Sequence, residues 1–281
     1  MLFRSKKSRL SNLKSKKNFS FQKIDIADLQ SLDDAFKYFK PERIVNLAAQ
    51  PGVRYSLKNP HAYMVSNLVG FLNILEMCRK FNTEGLIYAS SSSVYGDNKS
   101  KPFKIEDRVD QPISLYGATK KSNELLAYSY SHLYGIRTTG LRYFTVYGPW
   151  YRPDMAMSIF AKKISQNKKI DVYNNGKMKR DFTFIDDIIE GTYSAIISNY
   201  KCEVFNLGNN KSEELMVVIG LIEKHLNMNA KINFQPIQPG DVLETYADIN
   251  YSKEKLNFQP KTNIDVGIEK FINWFKDYYY V

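Results

Sequence analysis

The segment "GLIYASSSSVYGD" (residues 85–97) decides how the chain is read. A short run of apolar and small residues is followed at once by four hydroxyls. Such a run, bounded by turn residues, is the pattern of a strand covered on both faces. The same pattern recurs on either side of it. Upstream stand "ERIVNLAA" (42–49), a second buried strand, and "NPHAYMVSNLVGFLNILEMCRKF" (59–81), a long apolar helix with Pro60 near its start. Earlier still, "FQKIDI" (21–26) reads as a strand and "DLQSLDDAFKYFK" (28–40) as a helix opened by Asp28 or Ser31. Downstream, "LYGATKKSNELLAYSYSHLYG" (115–135) is a helix and "TTGLRYF" (138–144) a strand. Short apolar strands alternating with helices predict an α/β fold with a doubly wound parallel sheet.

Past residue 150 the alternation loosens. Helices are expected at 154–167, 186–198, 212–226 and 263–279, with short strands at 170–173, 203–207 and 231–235. The turn stretches "NNGK", "GNNKS" and "QPGD" punctuate this part. We divide the chain into residues 1–150, the sheet domain, and 151–281, a smaller lobe with interleaved segments. In a doubly wound sheet ligands bind beyond the carboxyl ends of the strands. That directs attention to "NLAAQPGVRYS", "YASSSSVYGD" and "RYFTVYGPWYRPDMA".

Composition narrows the function classes. The formal charge is +11, but the first twenty residues, "MLFRSKKSRLSNLKSKKNFS", contain seven Lys or Arg and no acid, which leaves +4 for the other 261. The body is therefore only mildly basic, and a nucleic-acid partner is not expected. No apolar run approaches the length of a membrane span, so no membrane partner is expected. Cys78 and Cys202 sit in apolar segments and read as separate buried thiols, and no Cys/His cluster has metal-ligand spacing. With no signal peptide, a cytoplasmic location is expected.

Tyr and Lys four residues apart share one face of a helix. The ammonium then stabilises a tyrosinate, which suits proton transfer to or from a hydroxyl. The pattern occurs four times, at Tyr95/Lys99, Tyr116/Lys120, Tyr173/Lys177 and Tyr251/Lys255. Only Tyr116 opens a strong helix that follows the serine-tipped strand. The plainer alternative for Tyr116 is an aromatic side chain packed on the core at a helix start. Arg180 precedes the strand-like "DFTFI" and Arg152 a helix start, where an anion contact and a surface ion pair both fit. Among the fourteen glycines, the first is Gly52 and no two are spaced two or three apart. The glycine loop that lets a dinucleotide diphosphate approach a helix N-terminus is absent from these 281 residues.

Taken together, the chain resembles the extended short-chain dehydrogenase/reductase family in its nucleotide-sugar epimerase branch. The segments "NLAAQPGVRYSLKNPHAYMVSNLVGFLNILE", "YASSSSVYGDN", "SLYGATKKSNELLAYSYSHLYG", "LRYFTVYGPWYRPDMA", "IDVYNNGKMKRDFTFIDDI", "FNLGNN" and "QPGDVLETYAD" carry the likeness, in family order. It is nearest to UDP-glucuronate 4-epimerases of capsule and lipopolysaccharide synthesis, chiefly through "TVYGPWYRPDMA". The resemblance implies a Rossmann-like sheet and an isomerase that uses NAD to invert C4 of a UDP-sugar through a 4-keto intermediate. It implies Tyr116 as the base, Lys120 as the lysine on the nicotinamide ribose that lowers the tyrosine pKa, and Ser91 as the hydroxyl on the sugar O4. Ser92 and Ser93 are neighbours that share the substrate side. Asp25 and Ile26 match adenine contacts, Ala48, Ala49 and Asn67 line the cofactor, and Tyr143 and Phe144 flank the nicotinamide. Thr145, Val172, Tyr173, Arg180 and Asp241 match the UDP-sugar pocket, with Arg152 facing the sugar carboxylate. Sibling dehydratases and decarboxylases place an acid directly after the site hydroxyl, where this chain has Ser92, which favours simple epimerisation. Family members are often homodimers.

The family also begins with a strand, the glycine loop, a helix and a second strand. From their absence here we expect the basic start to be the middle of a familiar domain, and NAD to bind poorly to the chain as given. Two readings follow: an epimerase of UDP-glucuronate or another UDP-hexose, or an inert homologue that keeps residual UDP-sugar binding.

Overall fold

The structure is a computed structural model that describes residues 2–238 and 242–280. Four strands form the main sheet: β1 (Arg43–Asn46), β2 (Gly85–Ala89), β3 (Thr138–Tyr143) and β4 (Cys202–Leu207). They pair in that order and all in parallel, with Arg43 opposite Gly85, Leu86 opposite Thr138 and Thr138 opposite Cys202. Successive side chains of a strand point to opposite faces. Accordingly Leu86 and Tyr88 pack on one face of the sheet and Ile87 on the other. The helices that cover the first face are α2 (Leu29–Phe39), α3 (Gly70–Lys80) and α4 (Leu115–Tyr134), through Leu32, Phe36, Phe71, Leu75 and Ala127. The opposite face receives α5 (Ile185–Ile197) through Ile188 and Ala195. This two-sided burial of β2 and β3 is the doubly wound arrangement expected from the apolar strands; β1, also expected to be buried, is instead the sheet edge, with Val45 39% exposed.

The second lobe has its own core, built from Phe160, Ile170, Val172, Val218, Ile268 and Phe271. It joins the helices Ala156–Ser165, Leu215–Leu226 and Ile264–Tyr279 to the parallel strands Lys169–Tyr173 and Lys231–Gln235. The basic start forms α1 (Leu2–Ser11), and the Ser8 hydroxyl hydrogen-bonds that of Tyr278 at 3.1 Å, tying it to the last helix. Among the described residues no helix is long and apolar enough to cross a membrane, and both cysteines are free thiols.

Four sequence expectations need correction. Residues 21–26 are not a strand but an extended segment that turns at Ile26–Ala27. A strand needs a neighbour to take its backbone hydrogen bonds, and none pairs with this one among the described residues. The helix expected over 59–81 runs without a break over 60–80, but it contains an unforeseen π-helical stretch, Met64–Val69, between Pro60–Tyr63 and α3. Val53–Lys58 is a short helix that was not anticipated. Finally, the strand expected at 203–207 in the second lobe is the fourth strand of the main sheet, one of the segments that interleave.

Candidate active site

Helix α4 starts against the end of β2. The Ser114 hydroxyl caps it by accepting from the Gly117 N–H at 3.0 Å. At Gly117 an added Cβ would meet the Ser93 carbonyl oxygen at 2.5 Å, so only glycine lets the helix begin this close to the serine turn. Ser91 in turn caps the 3₁₀ turn Ser92–Tyr95, its hydroxyl accepting from the Ser93 N–H at 3.2 Å. These two caps bring Tyr116 near Ser91. Burial raises the Tyr116 pKa, while the Ser91 hydroxyl and the charge of Arg152 pull it back toward the tyrosinate. One turn along, the buried Lys120 ammonium donates to the Ala89 carbonyl at 2.7 Å. Burial lowers its pKa to about 8.

The other wall is a rigid polar scaffold. Tyr63 is fully buried, donates to the Pro51 and Gly52 carbonyls, and meets the Tyr116 ring edge-on at 6.2 Å. Asn67 lies in the π-helical stretch, a kind of irregularity that recurs at functional sites. Its side-chain oxygen accepts from the Gln50 N–H at 2.7 Å, and its amide donates to the Gln50 carbonyl and the Thr119 hydroxyl. Asn123 donates to the Asn67 carbonyl at 2.7 Å. Asn67 therefore fixes the loop after β1 against the helix that carries Tyr116 and Lys120.

The remaining sequence-selected residues fall in several places. Ser92 and Ser93 are half-buried beside Ser91. Tyr143 bonds the Thr192 hydroxyl at 2.9 Å, and burial lifts its phenol to about 12; Phe144 is buried next to it. The Asp25 carboxylate accepts from the Ala27 N–H at 3.0 Å, and Ile26 packs against Gly70. Ala48 is exposed and Ala49 half-buried, just beyond β1. Thr145 opens a short strand, its N–H bonded to the Asp181 carbonyl. Arg152 is paired with Asp154, the ion-pair alternative, while its charge still acts on Tyr63 and Tyr116. The Arg180 guanidinium donates to the Lys179 and Leu243 carbonyls. Val172 is wholly buried in the second-lobe core, so its side chain is turned away from solvent. Asp241 lies outside the described residues.

Sequence reasoning missed three features. The Arg54 guanidinium stacks 4.5 Å from the centre of the Tyr173 ring, joining the short helix Val53–Lys58 to the strand Lys169–Tyr173. Tyr63 carries no motif signal. Glu124 and Arg142 form a buried ion pair beneath the site, with Nε to Oε1 at 2.9 Å and Nη2 to Oε2 at 3.0 Å. For Glu124 the available signal was its place two turns beyond Lys120's neighbour Tyr116, in the stripe 116–120–124.

Known proteins resemble this arrangement over nearly the whole chain. The model of the family described as GDP-mannose 4,6 dehydratase matches residues 3–271. Protein CapI of Staphylococcus aureus is 49% identical over 98% of this chain and 87% of its own length. UDP-glucuronate 4-epimerase 4 of Arabidopsis thaliana is 42% identical over 91% of this chain and 62% of the plant protein. The crystal structure of UDP-glucuronic acid 4-epimerase from Bacillus cereus, in complex with UDP-glucuronic acid and NAD, superposes with a TM-score of 0.92 at 33% identity, over 99% of this chain and 88% of that one.

Proposed function

The chain belongs to the GDP-mannose 4,6 dehydratase family, and from that membership we propose that it epimerises a UDP-sugar at C4, converting UDP-glucuronate to UDP-galacturonate with NAD as cofactor. The observation that carries this reading is the placing of Tyr116 beside the Ser91-capped turn, one helical turn from the buried Lys120 ammonium that donates to the Ala89 carbonyl. The likeness to UDP-glucuronate 4-epimerases in sequence and in structure supports the substrate. Ser92, standing where a water-eliminating sibling would carry an acid, supports epimerisation over dehydration.

The residues present fit the nicotinamide side of NAD. Lys120 is a buried ammonium with a backbone carbonyl as its hydrogen-bond partner, a donor set that suits ribose hydroxyls. Tyr143 and Phe144 would wall the ring, Ala48, Ala49 and Asn67 would border it, and Asp25 and Ile26 would meet the adenine end. The diphosphate finds no glycine loop of the usual spacing within these residues. When bound, NAD would supply the acceptor, and then the donor, of the C4 hydride.

The chain's own groups manage the proton and the pose. Ser91 holds the sugar O4 beside Tyr116, and Tyr116 takes the hydroxyl proton and later gives it back. Lys120 stands one turn from Tyr116 on the same face of the helix, where its ammonium would favour the tyrosinate below about pH 8. Thr145, Tyr173, Arg180 and Asp241 grip the nucleotide, together with the main chain at Val172. Arg152, released from Asp154, pairs with the C5 carboxylate. A fixed carboxylate matters because a 4-keto-5-carboxylate is a β-keto acid prone to lose CO₂. The test is chromatography of UDP-sugars after incubation with UDP-glucuronate and NAD. UDP-galacturonate should appear, and should not appear with Tyr116→Phe. Turnover of UDP-galactose or an N-acetylated UDP-sugar instead would move the substrate assignment, and binding without turnover would favour the inert-homologue reading.

A further inference from the structure

We infer that Ser90 is a positioning residue, which ties the end of β2 to Glu124 and thereby sets the Ser91 hydroxyl against Tyr116. The inference rests on the reading of Tyr116 as the proton carrier. The four serines at the end of β2 do not share one role. Ser90 is buried, and its hydroxyl points into the protein, donating to Glu124 Oε1 at 2.7 Å. Its N–H bonds the Leu141 carbonyl of β3 at 2.8 Å. So the residue before Ser91 is held on two sides, by β3 through the main chain and by α4 through the side chain.

Glu124 is a firm anchor for this hold. Arg142 grips both its oxygens, and Lys121 adds a bond to Oε2 at 3.0 Å. Arg142 is steadied in turn by the Tyr95 hydroxyl at 3.0 Å, which donates to Asn206 Oδ1 at 2.7 Å. Burial alone would push the Glu124 carboxyl up, but the bonds from Arg142 and Ser90 hold it below its usual range. It is therefore an ionised, rigid acceptor at neutral pH.

The result is a three-point register between one helix and the tip of one strand. Tyr116 meets Ser91, Lys120 meets the Ala89 carbonyl, and Glu124 meets Ser90. Three consecutive turns of α4 thus contact three consecutive residues of the strand end. The groups that face Tyr116 are Ser91, the Tyr63 ring and the Arg152 charge, with Lys120 one turn away. No carboxylate is among the influences on its pKa. Of the influences that draw Tyr116 toward its ionised form, the Ser91 hydroxyl is larger than the Arg152 charge, so a small shift of Ser91 is felt by the phenol.

The test uses full-length protein labelled with ¹³Cζ-tyrosine, the Tyr116 signal being identified by its loss in Tyr116→Phe. In Ser90→Ala the Tyr116 signal should move at pH 8, and the ionised fraction at pH 10 should fall about twofold or more. Epimerase kcat should drop about tenfold or more while KM stays within about twofold. Ser131→Ala is the matched control: it lies on the same helix, is buried, and its hydroxyl bonds the Lys201 carbonyl at 3.1 Å, far from the site. It should lose similar stability and leave the Tyr116 signal in place. If Ser90→Ala does not fold, Ser90→Cys keeps the volume and weakens the donor. A Tyr116 signal identical to the parent's at both pH values, in whichever of these variants folds, overturns the inference. Because the signal requires no turnover, a wild-type chain without epimerase activity would refute the proposed reaction and not this positioning role.

Discussion

The Lys120 ammonium donates to the Ala89 carbonyl at 2.7 Å inside a nearly closed site, with no carboxylate contributing to its shift. Burial lowers its pKa from 10.5 to about 8. A lysine with a depressed folded-state pKa costs stability wherever it is charged. The full cost is present below about pH 8 and is relieved as the pH rises from about 8 to 10.5. The size is on the order of 3 kcal/mol, less about 1 kcal/mol for the carbonyl hydrogen bond. Lys120→Met should therefore be inactive yet more stable than the parent by roughly 2 kcal/mol at pH 7. That advantage should vanish near pH 10.5, as urea unfolding at the two pH values would report.

Tyr116→Phe should abolish epimerisation while leaving the fold intact, because it removes one hydroxyl from the surface of a packed ring. Ser91→Ala keeps the phenol but removes the hydroxyl that pulls it toward tyrosinate. Its kcat should fall by about 10²-fold, and the alkaline shift of its pH–kcat profile should separate this loss from simple weakening of substrate binding.

Much of this site was legible because it obeys local rules. The bounds of β2, β3 and α4 follow from apolar periodicity, and with them the place of Tyr116 at a helix start and of four serines at a strand end; Ser91 was singled out among the four by the family resemblance. What was not legible depends on partners. "FQKIDI" has strand composition, but a strand exists only where another supplies its hydrogen bonds. Glu124 and Arg142 look in sequence like two surface charges, one on a helix and one on a strand, and only the packed fold makes them a buried pair. The π-helical stretch around Asn67 likewise answers to the loop after β1 and not to its own residues.

That buried pair gives a prediction with opposite outcomes for one change and for two. Arg142→Met leaves the buried Glu124 carboxylate with only Lys121 and Ser90 as partners, which should cost about 3 kcal/mol, the low end for a broken buried pair. Adding Glu124→Met should recover most of the loss, since an apolar pair of similar volume has no desolvation penalty. Denaturant midpoints of the single and double variants decide it, and a double variant no more stable than the single would contradict the account.

Asp181 is fully buried between the lobes' connecting segments. It accepts from the Asn209 and Ala247 N–H groups at 2.6 and 3.1 Å and from the Thr183 hydroxyl at 3.0 Å. Burial outweighs these donors and raises its pKa from 3.8 to about 6. The folded state thus binds this proton more tightly than the unfolded chain. The resulting stability is fully present below about pH 3.8 and is lost as the pH rises through about 6. Asp181→Asn lacks this titration. The stability of the parent relative to Asp181→Asn should be greatest near pH 4 and should shrink by roughly 2–3 kcal/mol by pH 7.

The edge of the main sheet invites a last measurement. β1 pairs only with β2 in the described sheet, so its other side offers unpaired backbone groups. Val45 on β1 is 39% exposed and Leu47 just beyond it 59%. An apolar strand edge of this kind is a template for pairing with another chain. A lysine at such an edge blocks pairing by charge and keeps the strand's own bonds to its neighbour. Sedimentation should show concentration-dependent self-association of the parent, and Val45→Lys should lower it, with a change in unfolding free energy under about 1 kcal/mol. Association undiminished in this variant would place the sticky surface elsewhere on the molecule.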